Sequence, residues 1–314
     1  MKKLTSLLLV LCMALGTLVG SVAFADGEAL SIDSLTVTYV TSPLNVPSIV
    51  EKEQGIFEST LGVPVEYAEI TSGADQTQAL ASGDVQLLYA VGATSVILSA
   101  ANGADIKVLN MYSRSPKAFC MYSRDELTTP ESLRGKTIAG PAGTNLHELL
   151  AAYLATGGMT IADVNYVNMG IPESKAALDG GSVDVALLAG ATAYTAQQQG
   201  YNLVADGAGL IQAIIAVAVT DEFYTAHPDV IERITAAQQQ IMDYIDQNEA
   251  AALATTAEYL DLDVQATTDM YAYYDFSLDK TEADIEGFQK TADFMYEAEM
   301  IDQPYDVSAL FYQE

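Results

Sequence analysis

Basic residues are scarce in this 314-residue chain: 13 Lys and Arg stand against 42 Asp and Glu, a formal charge of −29. Phosphates require a basic face, so nucleic acid is not expected as a partner, and docking on anionic headgroups is disfavoured with it. Cysteine is nearly absent, with only Cys12 and Cys120. Cys12 lies in the N-terminal segment, so no internal disulfide is available and the core alone must hold the mature fold. Histidine is equally rare. His147 and His227 have no partners at metal-ligand spacing, and Cys120 lies in an apolar strand without a basic flank, which suits a buried, inert thiol. There is no Gly-x-Ser-x-Gly turn, phosphate loop or dinucleotide fingerprint. These absences leave no catalytic, metal or cofactor machinery to expect. Beyond the N-terminus no apolar run is long enough to span a bilayer.

Residues 1–25 have the organisation of a signal peptide. Lys2 and Lys3 form the positive end, 7–15 a short apolar stretch, and Ala23-Phe24-Ala25 the small-residue cleavage signature, leaving Asp26 as the new N-terminus. The alternative is an uncleaved anchor. Leu11 before Cys12 is too large for a lipid-attachment site. Export out of the cytoplasm is the expectation, and the acidity then serves solubility.

Self-similarity is the most informative feature. Residues 79–94 read ALASGDVQLLYAVGAT and residues 177–192 read ALDGGSVDVALLAGAT. At a constant offset, Gly83, Val85, Gly92, Ala93 and Thr94 meet Gly181, Val183, Gly190, Ala191 and Thr192. Each copy is a helix end, a Gly turn, a near-continuous apolar strand and a Gly-Ala-Thr helix start, the pattern of a parallel strand buried on both faces. Upstream, expected strands at 35–41 and 63–70 match others at 136–140 and 164–169, each followed by a helix. The fold class is therefore α/β, with two similar lobes, each a mostly parallel sheet with flanking helices. Lobe 1 is expected at 30–113 plus 210–314 and lobe 2 at 117–207. The strands around Arg114-Ser115-Pro116-Lys117, and the strand at 211–220, mark two crossings. The remainder is helical: Pro228 opens a helix striped by Ile231, Ile234, Ile241 and Ile245, and further helices follow at 249–260, 264–274 and 280–299.

In open parallel sheets, ligands bind beyond the carboxyl ends of strands, where loops become helices. Those loops hold Ser42 and Asn45, Ser72 and Gly73, Gly92, Ala93 and Thr94, Gly143, Thr144 and Asn145, and Gly190, Ala191 and Thr192. Glycine admits close approach, and first-turn N–H groups carry partial positive charge, so such loops can hold a small anion without a cationic side chain. They also suit ordinary helix caps. Arg114 or Lys117 at the first crossing is either a charge-assisted donor or a solvated linker residue. Tyr112 and Tyr194 suit stacking on a planar ligand or packing between lobes. His147, in the first turn of its helix, lacks a nearby partner.

The segments YVTSPLNVPSIVEKEQGIFE (39–58), QALASGDVQLLYA (78–90), SLRGKTIAGPAGTNLHELLAAYL (132–154), AALDGGSVDVALLAG (176–190) and FYTAHPDVI (223–231) carry a resemblance by their order and spacing. The chain resembles the sulfonate/nitrate/taurine and thiamine-pyrimidine group of ABC-transporter solute-binding proteins. The resemblance implies a type II periplasmic-binding-protein fold, a ligand in the cleft between the lobes, and delivery to the membrane subunits of an importer by a monomer. An organic sulfonate, nitrate or similar anion is favoured as ligand. A pyrimidine-type aromatic ligand, a ligand-presenting sensor and a pyrimidine-synthase-like enzyme remain alternatives.

Overall fold

The computed structural model describes residues 30–41, 43–70 and 72–312. The expected leader, with Cys12 and the Ala23-Phe24-Ala25 signature, lies outside the described residues, and so does Ser42.

Two five-stranded sheets share one wiring. The first contains β1 (Leu35–Thr38), β2 (Val65–Ala68), β3 (Leu88–Gly92), β4 (Lys107–Arg114) and β10 (Ile214–Val219), the second β5 (Phe119–Ser123), β6 (Thr137–Gly140), β7 (Asn165–Asn168), β8 (Val185–Ala189) and β9 (Asn202–Asp206). A parallel bridge between Val37 and Leu87 joins the β1–β2 pair to β3–β10–β4. The spatial order is therefore β2-β1-β3-β10-β4, against β7-β6-β8-β5-β9 in the second sheet. In each, the fourth strand is antiparallel to both of its neighbours. That strand is the one arriving from the other lobe: β5 follows the first crossing at Ser115, and β10 follows the second after Asp206. A chain leaving one sheet at the carboxyl end of a strand enters the other sheet head-on, which reverses its direction. The remaining strands are parallel, so each sheet is mostly parallel, as the repeat implies.

Helices cover both faces of each sheet. On the first, α1 (Val46–Gln54), α2 (Ile56–Leu61), α9 (Pro228–Gln247) and α10 (Glu249–Tyr259) bury one core, while α3 (Gly73–Ser82), α4 (Ala93–Ala101) and α12 (Glu282–Glu297) bury the other. On the second, α5 (Asn145–Thr156) packs one face, and α6 (Ile171–Gly180) and α7 (Gly190–Gln198) the opposite one. The short α8 (Asp221–Ala226) precedes α9, and α11 (Val264–Tyr271) follows α10. The isoleucine stripe of α9 is in the core: Ile234, Ile241 and Ile245 have no exposed surface. Burying each is worth about 1.5–3 kcal/mol, which fixes this helix on the first sheet. The expected final helix at 280–299 is trimmed to α12, because Thr281 and Asp284 form a reciprocal capping box that sets its start.

Two expected site residues are corrected by this packing. Tyr112 is 2 % exposed. Its ring stands edge-on to Tyr89 at 4.9 Å, and its hydroxyl is 2.8 Å from Ser48 Oγ, so it fills the core of lobe 1 and does not face a ligand. Arg114 is committed to its own lobe. Its Nε and one terminal nitrogen donate to the two carboxylate oxygens of Asp284, both at 2.6 Å, and its other donors meet the carbonyls of Ser277 and Asp279. An isolated strand end has no such partners in sequence; the last 40 residues supply them.

Candidate functional site

Because β1 and β3 are parallel, the loops after them emerge at the same end of the first sheet, and the loops after β6 and β8 do likewise on the second. These two carboxyl ends face each other. Pro43, just after β1, is so close to Gly190 that a Cβ added at Gly190 would lie 2.8 Å from Pro43 Cβ. Gly190 has φ +57°, a conformation that favours glycine, and no side chain fits there. A cavity of about 310 Å³ opens beside this contact, lined by Pro43, Ala191, Thr192, Ile171 and Leu260 among others. None of its lining residues is basic.

The five helix starts proposed as donors are not equivalent. At α1 the N–H of Ser48 donates to the Tyr112 hydroxyl at 3.1 Å, a cap brought from β4, and the buried Asn45 side chain donates to the Val40 carbonyl. At α3 Ser72 accepts from Asp75 N–H, and Gly73 lies tight against Ser95 of α4. At α5 the Thr144 hydroxyl accepts from Leu146 N–H and donates to the Pro141 carbonyl, while Gly143 N–H donates to His147 Nδ1 at 3.2 Å. Asn145, the first residue of α5, is buried. These three starts are capped from within the fold. The two Gly-Ala-Thr starts are different: neither α4 nor α7 has a side-chain cap. Ala93 itself is core, so only its backbone is offered, whereas Gly92, Thr94, Ala191 and Thr192 are partly exposed. The pair singled out by the repeat is thus the pair with first-turn donors left over.

Strain accompanies one of them. Ala90, two residues before Gly92, has φ +78° where β3 bulges against β10. For a non-glycine residue that costs about 1–2 kcal/mol, and its neighbours Leu88 and Val91 in the core hold it in place.

Contacts between the lobes flank the cleft on both sides. On one, Thr291 Oγ1 of α12 donates to Glu148 Oε1 of α5 at 3.0 Å, and the Phe294 ring meets His147 edge-on at 5.5 Å. On the other, Tyr194 Oη of α7 donates to Asp269 Oδ2 of α11 at 2.9 Å. Glu148 is 6 % exposed, and burial, only partly offset by the Thr291 hydrogen bond, pushes its carboxyl up to about 7. His147 stacks on Tyr166 at 4.8 Å, and burial lowers its basicity. Accepting from Gly143 N–H, it ties the α5 loop to the helix that follows. Burial likewise pushes the Cys120 thiol up to about 12, with the Asp206 charge adding to the effect. Among the described residues no His, Cys, Asp and Glu side chains cluster as a metal site, and no helix is long and apolar enough to cross a membrane.

Sequence reasoning missed Pro43, Glu148 and Asp269. Pro43 follows directly on Ser42, and its part in the cleft depends on Gly190, which only tertiary structure brings near. Glu148 and Asp269 lie among 42 acidic residues with nothing local to mark them.

The sequence model of the NMT1/THI5-like family matches residues 43–252. The "Taurine-binding periplasmic protein" of Escherichia coli (strain K12) is 29% identical over 220 residues, spanning 69% of this chain and 67% of that protein. Among solved structures, the periplasmic aliphatic sulphonate binding protein SsuA from Escherichia coli superposes with a TM-score of 0.82 at 20% identity, covering 90% of this chain and 93% of that one. The alkanesulfonate-binding protein SsuA from Xanthomonas axonopodis pv. citri, bound to MOPS, gives a TM-score of 0.78 at 21% identity, with 90% and 99% covered. The two structures share with this chain the two-lobed periplasmic-binding-protein fold.

Proposed function

Starting from the fact that the chain belongs to the NMT1/THI5-like family, we propose that it is the solute-binding component of an ABC importer, working outside the cytoplasm and capturing a small organic anion of the sulfonate class. The observation that carries this reading is the pairing of α4 and α7. Two repeat-related helix starts, one from each lobe, keep uncapped first-turn N–H groups at the facing ends of their sheets. The lobes are taken as 30–113 plus 210–314 and 117–207, closing about the two crossings. Capture involves no chemistry: the one thiol near the cleft is held neutral, and His147 is tied to the α5 loop. The taurine- and sulfonate-binding relatives support the ligand class, and a relative from Brachyspira hyodysenteriae described as a putative ABC transporter periplasmic binding protein supports the membrane partner.

With no cationic side chain lining the cavity, short-range donors must hold the anion. A hydrogen bond to a charged group is worth roughly 1.5–3 kcal/mol. Calorimetric titration with ethanesulfonate is the test. Binding to the wild type is expected, with Thr94→Val and Thr192→Val each weaker by about ten- to a hundred-fold and far-UV dichroism unchanged. No heat of binding with any alkanesulfonate would sink the ligand class. Wild-type affinity in both folded variants would sink the site.

A further inference from the structure

Glu148 places a buried carboxyl across the seam between the lobes. It projects from the first turns of α5 onto α12 of the other lobe, where Thr291 Oγ1 donates to one of its oxygens at 3.0 Å. The other oxygen is buried and has no hydrogen-bond partner among the described residues. Glu51, also buried, lies wholly within lobe 1, where Phe57 N–H and Tyr67 Oη donate to it, so it does not sense the seam.

The elements packed on α5 and α12 supply nothing to balance a charge there. β5, β8, α4 and β10 hold no charged side chain along their lengths, and neither does the turn Val307–Leu310. The turns Pro130–Leu133 and Ile161–Asp163 bring Glu131 and Asp163. Glu131, however, lies at the far end of α5 beside Gly157, and Asp163 is paired with Arg134. On α12, Lys290 and Asp293 lie close to Thr291 in sequence and are exposed. On α5, His147 turns to Tyr166 and Phe294 instead. Burial raises the Glu148 carboxyl to about 7, and the Thr291 hydrogen bond is all that opposes it. A carboxylate here is uncompensated while the seam is shut, at the cost of desolvating one charge. Parting α5 from α12 returns the group to water, where it ionises normally.

We propose that capture is proton-linked: the lobes shut on the solute with uptake of one proton at Glu148, so that affinity is highest in acid and falls as pH rises. This rests on the two-lobe, sulfonate-class reading above and adds its regulation. Because the shut seam holds the proton more tightly than water does, its stabilisation is complete below about pH 4.5 and is lost as pH rises toward 7. His147 works the other way, since burial in the shut seam disfavours its protonated form.

Ethanesulfonate is ionised throughout pH 5–8, so calorimetric titration with it reads only the protein's own protons. Wild-type affinity at pH 8 is expected to be at least about ten-fold weaker than at pH 5. Titrations at pH 6 in two buffers of different ionisation enthalpy should show uptake approaching one proton. Glu148→Gln keeps an acceptor for Thr291 and should hold a constant affinity over this range, or gain with pH as His147 alone titrates. Far-UV dichroism at each pH checks that both proteins are folded. Where ethanesulfonate binds, affinity decides: a wild-type value that does not fall from pH 5 to 8, or a fall that survives in Glu148→Gln, overturns the proposal. Small-angle scattering without ligand judges closure independently of the solute. The radius of gyration should be larger at pH 8 than at pH 5 in the wild type and constant in Glu148→Gln. If no alkanesulfonate binds at any pH, the ligand class fails and the radii decide. The wild-type shift then upholds proton-linked closure, and equal radii overturn it.

Discussion

Glu148 shows how one side chain can tie stability to pH. It is buried between α5 and α12, one oxygen accepts from Thr291, and the other has no partner. Its carboxyl rises from an ordinary 4.5 to about 7, so the folded state holds the proton more tightly than the unfolded state. The corresponding stability is fully present below about pH 4.5 and is lost as pH rises toward 7. Glu51 has the same sign, raised by burial to about 7, although Tyr67 Oη and Phe57 N–H both donate to it. Glu148→Gln keeps an acceptor for Thr291 and removes the charge. Melting curves from pH 5 to 8 should show the variant losing less stability than the wild type, and melting above it at pH 8; identical slopes would refute a buried, titrating Glu148. Arg114 makes the opposite case. Its partner Asp284 is held below the usual carboxylate range by the guanidinium and by Thr281, against the opposing effect of burial. Arg114→Leu leaves Asp284 buried and unpaired, so urea unfolding should show a loss of about 3–5 kcal/mol.

At the scale of elements, the two copies of the repeat diverge at their glycines. Gly92 has an ordinary negative φ, and an added Cβ there would meet nothing closer than Thr94 Oγ1 at 3.7 Å. Gly190 combines positive φ with the close approach of Pro43. Alanine at 92 is therefore expected to leave stability within about 0.5 kcal/mol of wild type. Alanine at 190 should cost about 1–2 kcal/mol for its backbone alone, and it should also weaken ligand binding by wedging the lobes apart at Pro43. Parallel melting and titration of the two variants checks the contrast; equal penalties would mean that the two starts are interchangeable.

For the whole molecule, what matters is that the C-terminal helices of lobe 1 touch lobe 2 on both flanks. Tyr194–Asp269 and Thr291–Glu148 are neutral-donor hydrogen bonds to carboxyl groups, each worth on the order of 1 kcal/mol. Removing both, as Tyr194→Phe with Thr291→Val, should shift the ligand-free population toward an open form. The expected outcome in small-angle X-ray scattering is a larger radius of gyration without ligand, restored at saturating ligand, with affinity reduced by the fraction of closed protein lost. An unchanged radius would show that these contacts do not govern closure.

The sequence by itself determined the α/β class, the two similar halves and the helix starts on which the proposed site rests. Those features are local: apolar strands, glycine turns and the Gly-Ala-Thr pairs are written in consecutive residues at a fixed offset. It also marked the α9 stripe, because helical spacing alone assigns a buried face. Tertiary structure decided what depends on partners distant in sequence. Arg114 is drawn to Asp284 and Tyr112 to Ser48, and each is thereby removed from the cleft. Of the five helix starts, α1 is capped by Tyr112 from a distant strand, whereas α3 and α5 are capped by their own Ser72 and Thr144, the ordinary caps that the sequence also allows, which leaves α4 and α7. The exchange of β5 and β10 between sheets, the Pro43–Gly190 contact and the Thr291–Glu148 seam all arise where the two lobes meet, and a charge or ring buried there is indistinguishable in sequence from one on the surface.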